Sequence, residues 1–124
     1  MRLRRLAALQ WLGLVLGGVV WFAGHIVGFG ITEAECGRAG SAWGISNDVW
    51  QASLTAAAGA LVLAAELAAV AVLVGTRGTS YEAEPPVSRM RFFAIAAATA
   101  NALFLVIVLL DGLGAILSVT CRGG

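Results

Sequence analysis

Five residues of this 124-residue chain bring reactive groups into or beside apolar stretches: His25, Glu66 and Asp111, and the cysteines Cys36 and Cys121. An imidazole and two carboxylates inside a membrane are the groups of a proton relay, a helix-to-helix pair, or a haem or quinone contact. Two thiols on an oxidising side are the material of a disulfide. Neither set forms a catalytic constellation: there is no Ser/His/Asp arrangement, no phosphate-binding glycine loop and no metal-hydrolase spacing, so no enzyme is expected. A metal site needs more ligands than two thiolates, and His25 lies about two to three helical turns below Cys36, too far to join them. No metal and no cofactor are expected. C-x-x-C and C-x-x-C-H, the spacings of thiol redox catalysis and covalent haem attachment, are missing.

The elements that must position these groups are membrane helices. Hydrophobic residues make up 60% of the chain and charged residues 12%, with a mean hydropathy of +0.90. Eight Lys+Arg and seven Asp+Glu cannot coat a soluble core of this length. A net charge of +1 leaves no footprint for nucleic acid. Three apolar runs, about 6–31, 49–74 and 92–119, each exceed the roughly 20 residues that cross a bilayer core as helix. The expected fold is an all-α membrane protein, a single three-helix transmembrane domain over 1–124. Arg2, Arg4 and Arg5 before the first run resemble the start of a signal peptide. That run continues through Trp21, Phe22 and Phe29, longer than an h-region, and reads as an uncleaved anchor.

Arginine bias orients the spans. Arg2, Arg4 and Arg5 share one side with Arg77, Arg89 and Arg91, against Arg38 and Arg122 on the other, so the N-terminus is expected in the cytoplasm and the C-terminus outside. Trp11, Phe92 and Phe93 would then mark the inner interface and Trp43 and Trp50 the outer one. Asp48 with Gln51 has the spacing of a capping box opening span two, and Thr32 with Glu35 has the same spacing in the outer connection. Gly75 and Gly78 close span two, and Pro85, Pro86 and Ser88 introduce span three.

Under this topology Cys36 and Cys121 fall in one outer layer, where a disulfide would tie span one to span three. The alternative is two unrelated small apolar residues. Helical rise places His25 and Asp111 each about 10 Å outward of the span midpoints and Glu66 about 6 Å toward the cytoplasm. His25 and Asp111 are therefore expected in one layer, with Glu66 apart. For His25 the readings are a neutral imidazole bonded to a neighbouring helix, a haem or quinone contact, or a proton relay. For Asp111 they are an interhelix hydrogen bond or a shallow carboxylate. Glu66 carries a proton or meets a partner subunit. Thr99 and Asn101 are the further polar groups of span three, too few to line a conduction path in one copy.

Small residues define packing faces. Gly13-x-x-x-Gly17 and Gly24-x-x-x-Gly28 recur on nearly one face of span one, and span two is rich in Ala from Ala56 to Ala69. Such faces admit close backbone approach, which matters because lipid supplies no hydrophobic drive for helix association. Three helices are not expected to enclose all of this surface, so the chain reads as a subunit surrounded by other membrane proteins. A proton- or ion-conducting oligomer using Glu66, Asp111 and His25, and a haem- or quinone-binding redox protein, are the alternatives.

Trp21 and His25 in a Gly-rich first span, Cys36 in the outer loop, and a last span opening with Arg91, Phe92 and Phe93 and closing on Cys121 form a recognisable order. It resembles small uncharacterised bacterial membrane proteins encoded beside haem–copper cytochrome c oxidase genes. The likeness covers span one with its loop and span three. It implies an accessory subunit or assembly partner of a respiratory oxidase in the bacterial plasma membrane, with Cys36 and Cys121 as its disulfide.

Overall fold

A computed structural model of the protein describes residues 2–37 and 46–117. Arg38, Trp43, Cys121 and Arg122, and the last residues of the expected third span, lie outside them. The described residues form three helices: α1 (Arg2–Cys36), α2 (Asn47–Gly75) and α3 (Val87–Leu117). Each is long and apolar enough to cross a membrane, and no strand occurs among the described residues. The chain is an all-α, multi-pass membrane protein.

The helices overrun the apolar windows. α1 begins at Arg2 and continues to Cys36, and α3 begins at Val87, because hydropathy marks only what the bilayer core requires. Nothing between Ile31 and Cys36 stops α1, and it closes where the Gly37 N–H reaches Glu33 O at 3.0 Å. Thr32 is therefore interior to α1, where its hydroxyl donates to Gly28 O at 3.1 Å, and its capping spacing with Glu35 opens no helix. The expected capping box of Asp48 and Gln51 does not form either. α2 is entered at Ser46 with no side-chain cap bond, and the Gln51 amide is committed elsewhere. It donates to Gly28 O at 2.9 Å and to Thr32 Oγ1 at 3.0 Å, both on α1, and reaches Asn47 Oδ1 at 3.4 Å. Buried in an apolar bundle, that amide gains more from acceptors on a facing helix than from an N–H that is already near solvent.

α2 ends at Gly75, and Thr76 caps it: its hydroxyl donates to Val72 O at 2.8 Å and its N–H to the same oxygen at 3.0 Å. Arg91 of α3 reaches back over this end, donating to Thr76 O at 2.9 Å and Arg77 O at 2.8 Å. A cation on the exposed carbonyls of a helix C-terminus opposes the negative end of its dipole. The guanidinium also lies 5.3 Å from the Tyr81 ring centroid.

All three helix pairs are in direct contact, α2 running antiparallel to its neighbours. The bundle is layered. At the arginine-rich end, Val72, Met90 and Ala94 pack with Leu6 and Leu9. Next, Gly13 lies against Ala65 and Ala69, and Asn101 beside Gly17. Then Ala58, Val62 and Val108 form an apolar layer with Trp21 and Phe104. Beyond it lies the polar layer of His25, Asp111, Thr55 and Gln51. α2 is the most enclosed helix, with Val62, Ala65, Ala69 and Val72 fully buried. α1 and α3 turn large apolar side chains outward, among them Trp11, Phe22, Phe29, Leu103 and Leu110, as lipid-facing surfaces do.

Replacing Gln51 by Leu keeps the volume and removes the cross-helix bonds. The expected result is a loss of about 1 kcal/mol in unfolding free energy, read from denaturation in mixed detergent and SDS micelles by circular dichroism. A Thr32→Val variant, which removes one of the acceptors, loses less.

Candidate functional site

α1 and α3 are parallel neighbours, so residues at equal depth in the two helices meet. His25 Nδ1 lies 3.5 Å from Asp111 Oδ2. The pair is not sealed inside the bundle: its side chains are 64% and 51% exposed, on the lateral wall between the two helices. Trp21, one turn below, lies beside the imidazole, ring centroids 6.2 Å apart, and stacks on Phe104 of α3 at 5.8 Å and 26°. That stack fixes the wall from which His25 projects.

Beside the pair a cavity of about 230 Å³ opens between the three helices. Its polar lining is His25, Asp111, Thr32, Gln51 and Thr55, and Trp21 and Phe29 supply aromatic walls. The space exists because small residues from every helix surround it: Gly24 and Gly28 of α1, Ala58 of α2, Gly112 and Ala115 of α3. Gly112 also admits Thr55, whose hydroxyl and methyl occupy the room that a β-carbon at 112 would need.

The four glycines of α1 separate into distinct roles. A β-carbon at Gly13 would stand 3.0 Å from Ala69 N and 3.2 Å from Ala65 O, both backbone atoms of α2. At Gly17 it would run into the Asn101 carboxamide oxygen and lie 3.3 Å from the Phe104 ring of α3. Gly28 faces Gln51 and Leu54 closely, at 3.3 and 3.4 Å, whereas Gly24 has only the Ala58 β-carbon, at 3.9 Å. This glycine face thus fills the groove between α2 and α3 of its own chain.

Glu66 is not part of the cavity. Its Oε2 is buried with no hydrogen-bond partner among the described residues. Cys36 is the last residue of α1, and Cys121 lies outside the described residues. Asn101 has a more specific place than a polar residue of span three: it is 1% exposed and its amide donates to Gly13 O at 2.8 Å. A lone Asn in an Ala-rich apolar run was the available signal for it. Gln51 and Thr55 carried none: Gln51 has the spacing of a helix-start residue, and Thr55 is an isolated hydroxyl inside α2.

No protein-family model, curated protein or solved structure matches the chain.

Proposed function

We propose that this chain is a non-enzymatic accessory subunit of a multisubunit complex in the bacterial plasma membrane, packing against its neighbours through α2. The observation that carries this reading is the row Ala52, Ala56, Ala60 and Ala64, which is exposed along one side of α2. Ala at every fourth position is a ridge suited to a close helix neighbour and gives little grip on lipid. The glycines of α1 are used within the bundle, so this row is the small-residue surface left for a partner. Glu66, partly buried on α2, adds to it as an intramembrane carboxyl of the kind that faces protein rather than lipid. The resemblance to proteins encoded beside cytochrome c oxidase genes makes a respiratory oxidase the favoured host.

In this reading the N-terminus is cytoplasmic and the C-terminus outside, since Arg2, Arg4, Arg5, Arg77, Arg89 and Arg91 gather at one end of the bundle. The reading includes a disulfide between Cys36, which closes α1 at the opposite end, and Cys121, as the arginine bias and the resemblance imply. The apolar layer of Ala58, Val62 and Val108 separates the His25 and Asp111 layer from Asn101, which favours a structural subunit over a conducting one.

Solubilisation from native membranes in mild detergent is expected to recover the chain with a stoichiometric membrane partner, and an Ala60→Trp variant to lose it. Recovery as a lone small species overturns the subunit reading. For the topology, an impermeant thiol reagent applied outside is expected to label both cysteines only after reduction. Labelling without reduction refutes the bridge, and labelling from the cytoplasmic side refutes the orientation.

A further inference from the structure

We propose that the arginine-rich end of the bundle is a binding surface for anionic phospholipid headgroups, independently of whether the chain is a subunit of a larger complex and of which leaflet that end enters. The surface is assembled from all three helices. Leu6 of α1 and Met90 of α3 pack in one layer with Val72 of α2, and a β-carbon added at Gly75 would stand 2.9 Å from Leu6 Cδ2. Arg2, Arg4 and Arg5 are one to four residues before Leu6, Arg77 is two residues past Gly75, and Arg89 adjoins Met90. At about 1.5 Å of rise per helical residue, these five arginines stand within about one turn of that layer, where the apolar spans give way to headgroups. All five are exposed. None has a hydrogen-bond or ion-pair partner for its guanidinium among the described residues, where the sole ion pair joins His25 and Asp111.

The charge and the shape of these groups select the headgroup. Counting Arg91, six arginines face two carboxylates at this end, Glu82 and Glu84 of the α2–α3 connection, both exposed, which leaves an excess of four positive charges. Arg91 itself is committed to the bundle. Its bonds to Thr76 O and Arg77 O fasten Arg77 to the start of α3, the segment that carries Arg89. All eight Lys+Arg residues of the chain are Arg. A bias that only orients spans is served equally by Lys, whereas the planar guanidinium fork matches phosphate oxygens with two parallel hydrogen bonds. The excess positive charge favours an anionic phospholipid and opposes the ammonium of phosphatidylethanolamine. On the bilayer side of the arginines, Trp11 and Phe92 are each 61% exposed, aromatic surface of the kind that settles at the membrane interface. An acidic protein segment suits a cluster on one helix or in one groove. Arginines spread over three helices with aromatic rings beneath them fit a bilayer surface.

The test uses the whole chain in vesicles of equal phosphatidylglycerol and phosphatidylethanolamine with identical acyl chains, extracted in mild detergent, the lipids retained by the protein being counted by mass spectrometry. Phosphatidylglycerol is expected to exceed phosphatidylethanolamine about fivefold or more at about 50 mM NaCl, and the ratio to fall at least about twofold at about 500 mM, where exposed charges are screened. Combining Arg2→Gln, Arg4→Gln, Arg5→Gln and Arg89→Gln is expected to bring the ratio close to unity. Arg38→Gln with Arg122→Gln, beyond the far ends of α1 and α3 in the sequence, is expected to leave it unchanged. Thermal melting by circular dichroism shows whether each variant keeps its fold. Equal retention of the two lipids by the native chain overturns the proposal in favour of an acidic protein partner. A ratio insensitive to salt, or one kept by the folded fourfold variant and lost in the Arg38 and Arg122 variant, also overturns it. The lipid and salt comparisons need only the native chain, so they decide the matter even if the fourfold variant does not fold. A chain that enriches phosphatidylglycerol but recovers no membrane partner keeps this inference and loses the subunit reading.

Discussion

Gly13→Val is expected to force α1 away from α2 and to cost about 3 kcal/mol of stability, at the upper end of what overpacking does. The obstacle is backbone, not side chain. A β-carbon at 13 would meet Ala69 N at 3.0 Å, Ala65 O at 3.2 Å and the Ala69 α-carbon at 3.2 Å, and none of these atoms can rotate aside as a side-chain tip can. The helices must separate at the layer where α2 is most enclosed, with Ala65 and Ala69 fully buried. Separation also draws Gly13 O away from the Asn101 amide that now donates to it at 2.8 Å. Unfolding in mixed micelles measures the loss, and Gly59→Ala is the control. No atom lies within 4 Å of a β-carbon added at Gly59, so that variant should stay within about 0.5 kcal/mol of the native chain. A Gly13→Val protein as stable as the control would show that the α1–α2 contact at this level does not hold the bundle together.

Gly17→Ala is expected to be destabilising in the native background and far less so when Asn101 is also replaced by Ala. The added methyl at 17 collides with the Asn101 carboxamide oxygen, and turning that group away breaks the hydrogen bond to Gly13 O. Each single change should cost about 1 to 2 kcal/mol, the range of interhelix hydrogen bonds in membranes and of modest overpacking. Removing the side chain of Asn101 makes room for the methyl, so the two losses should not add. The double-mutant cycle should return a coupling of about 1 kcal/mol, within the range for residues in contact. Additive losses would mean that Asn101 and Gly17 act independently, contrary to their geometry. The pairing sets the register of α1 against α3, which in turn sets the approach of His25 to Asp111 two layers away.

Much of this was readable along the chain. Hydropathy located three spans, and counting residues from their midpoints put His25 and Asp111 in one layer with Glu66 apart; the structure brings the first two to 3.5 Å. The glycine spacing in α1 marked a close contact. What the spacing did not disclose is that one face serves two neighbours, Gly13 against α2 and Gly17 against α3. The capping patterns misled for a related reason. Thr32 and Gln51 have the types and spacings of helix-start residues, yet they bond each other across α1 and α2 at 3.0 Å. A capping motif is local, and inside an apolar bundle an acceptor on a facing helix competes with the local one.

By itself the sequence determined the class of the protein, its three apolar spans and the shared level of His25 and Asp111. These are sums along one chain: apolar transfer adds residue by residue, and depth follows from the rise of about 1.5 Å per residue. Only the tertiary structure decided which small residues are consumed within the bundle and which are left on its surface. It also put the His25 and Asp111 pair on the lateral wall and made a cavity, rather than a packed contact, of Gly24, Ala58 and Ala115. Those outcomes depend on the rotation of each helix about its axis and on which surfaces meet. In lipid, a face turned to a partner and a face turned to hydrocarbon are both apolar, so polarity along the chain does not tell them apart.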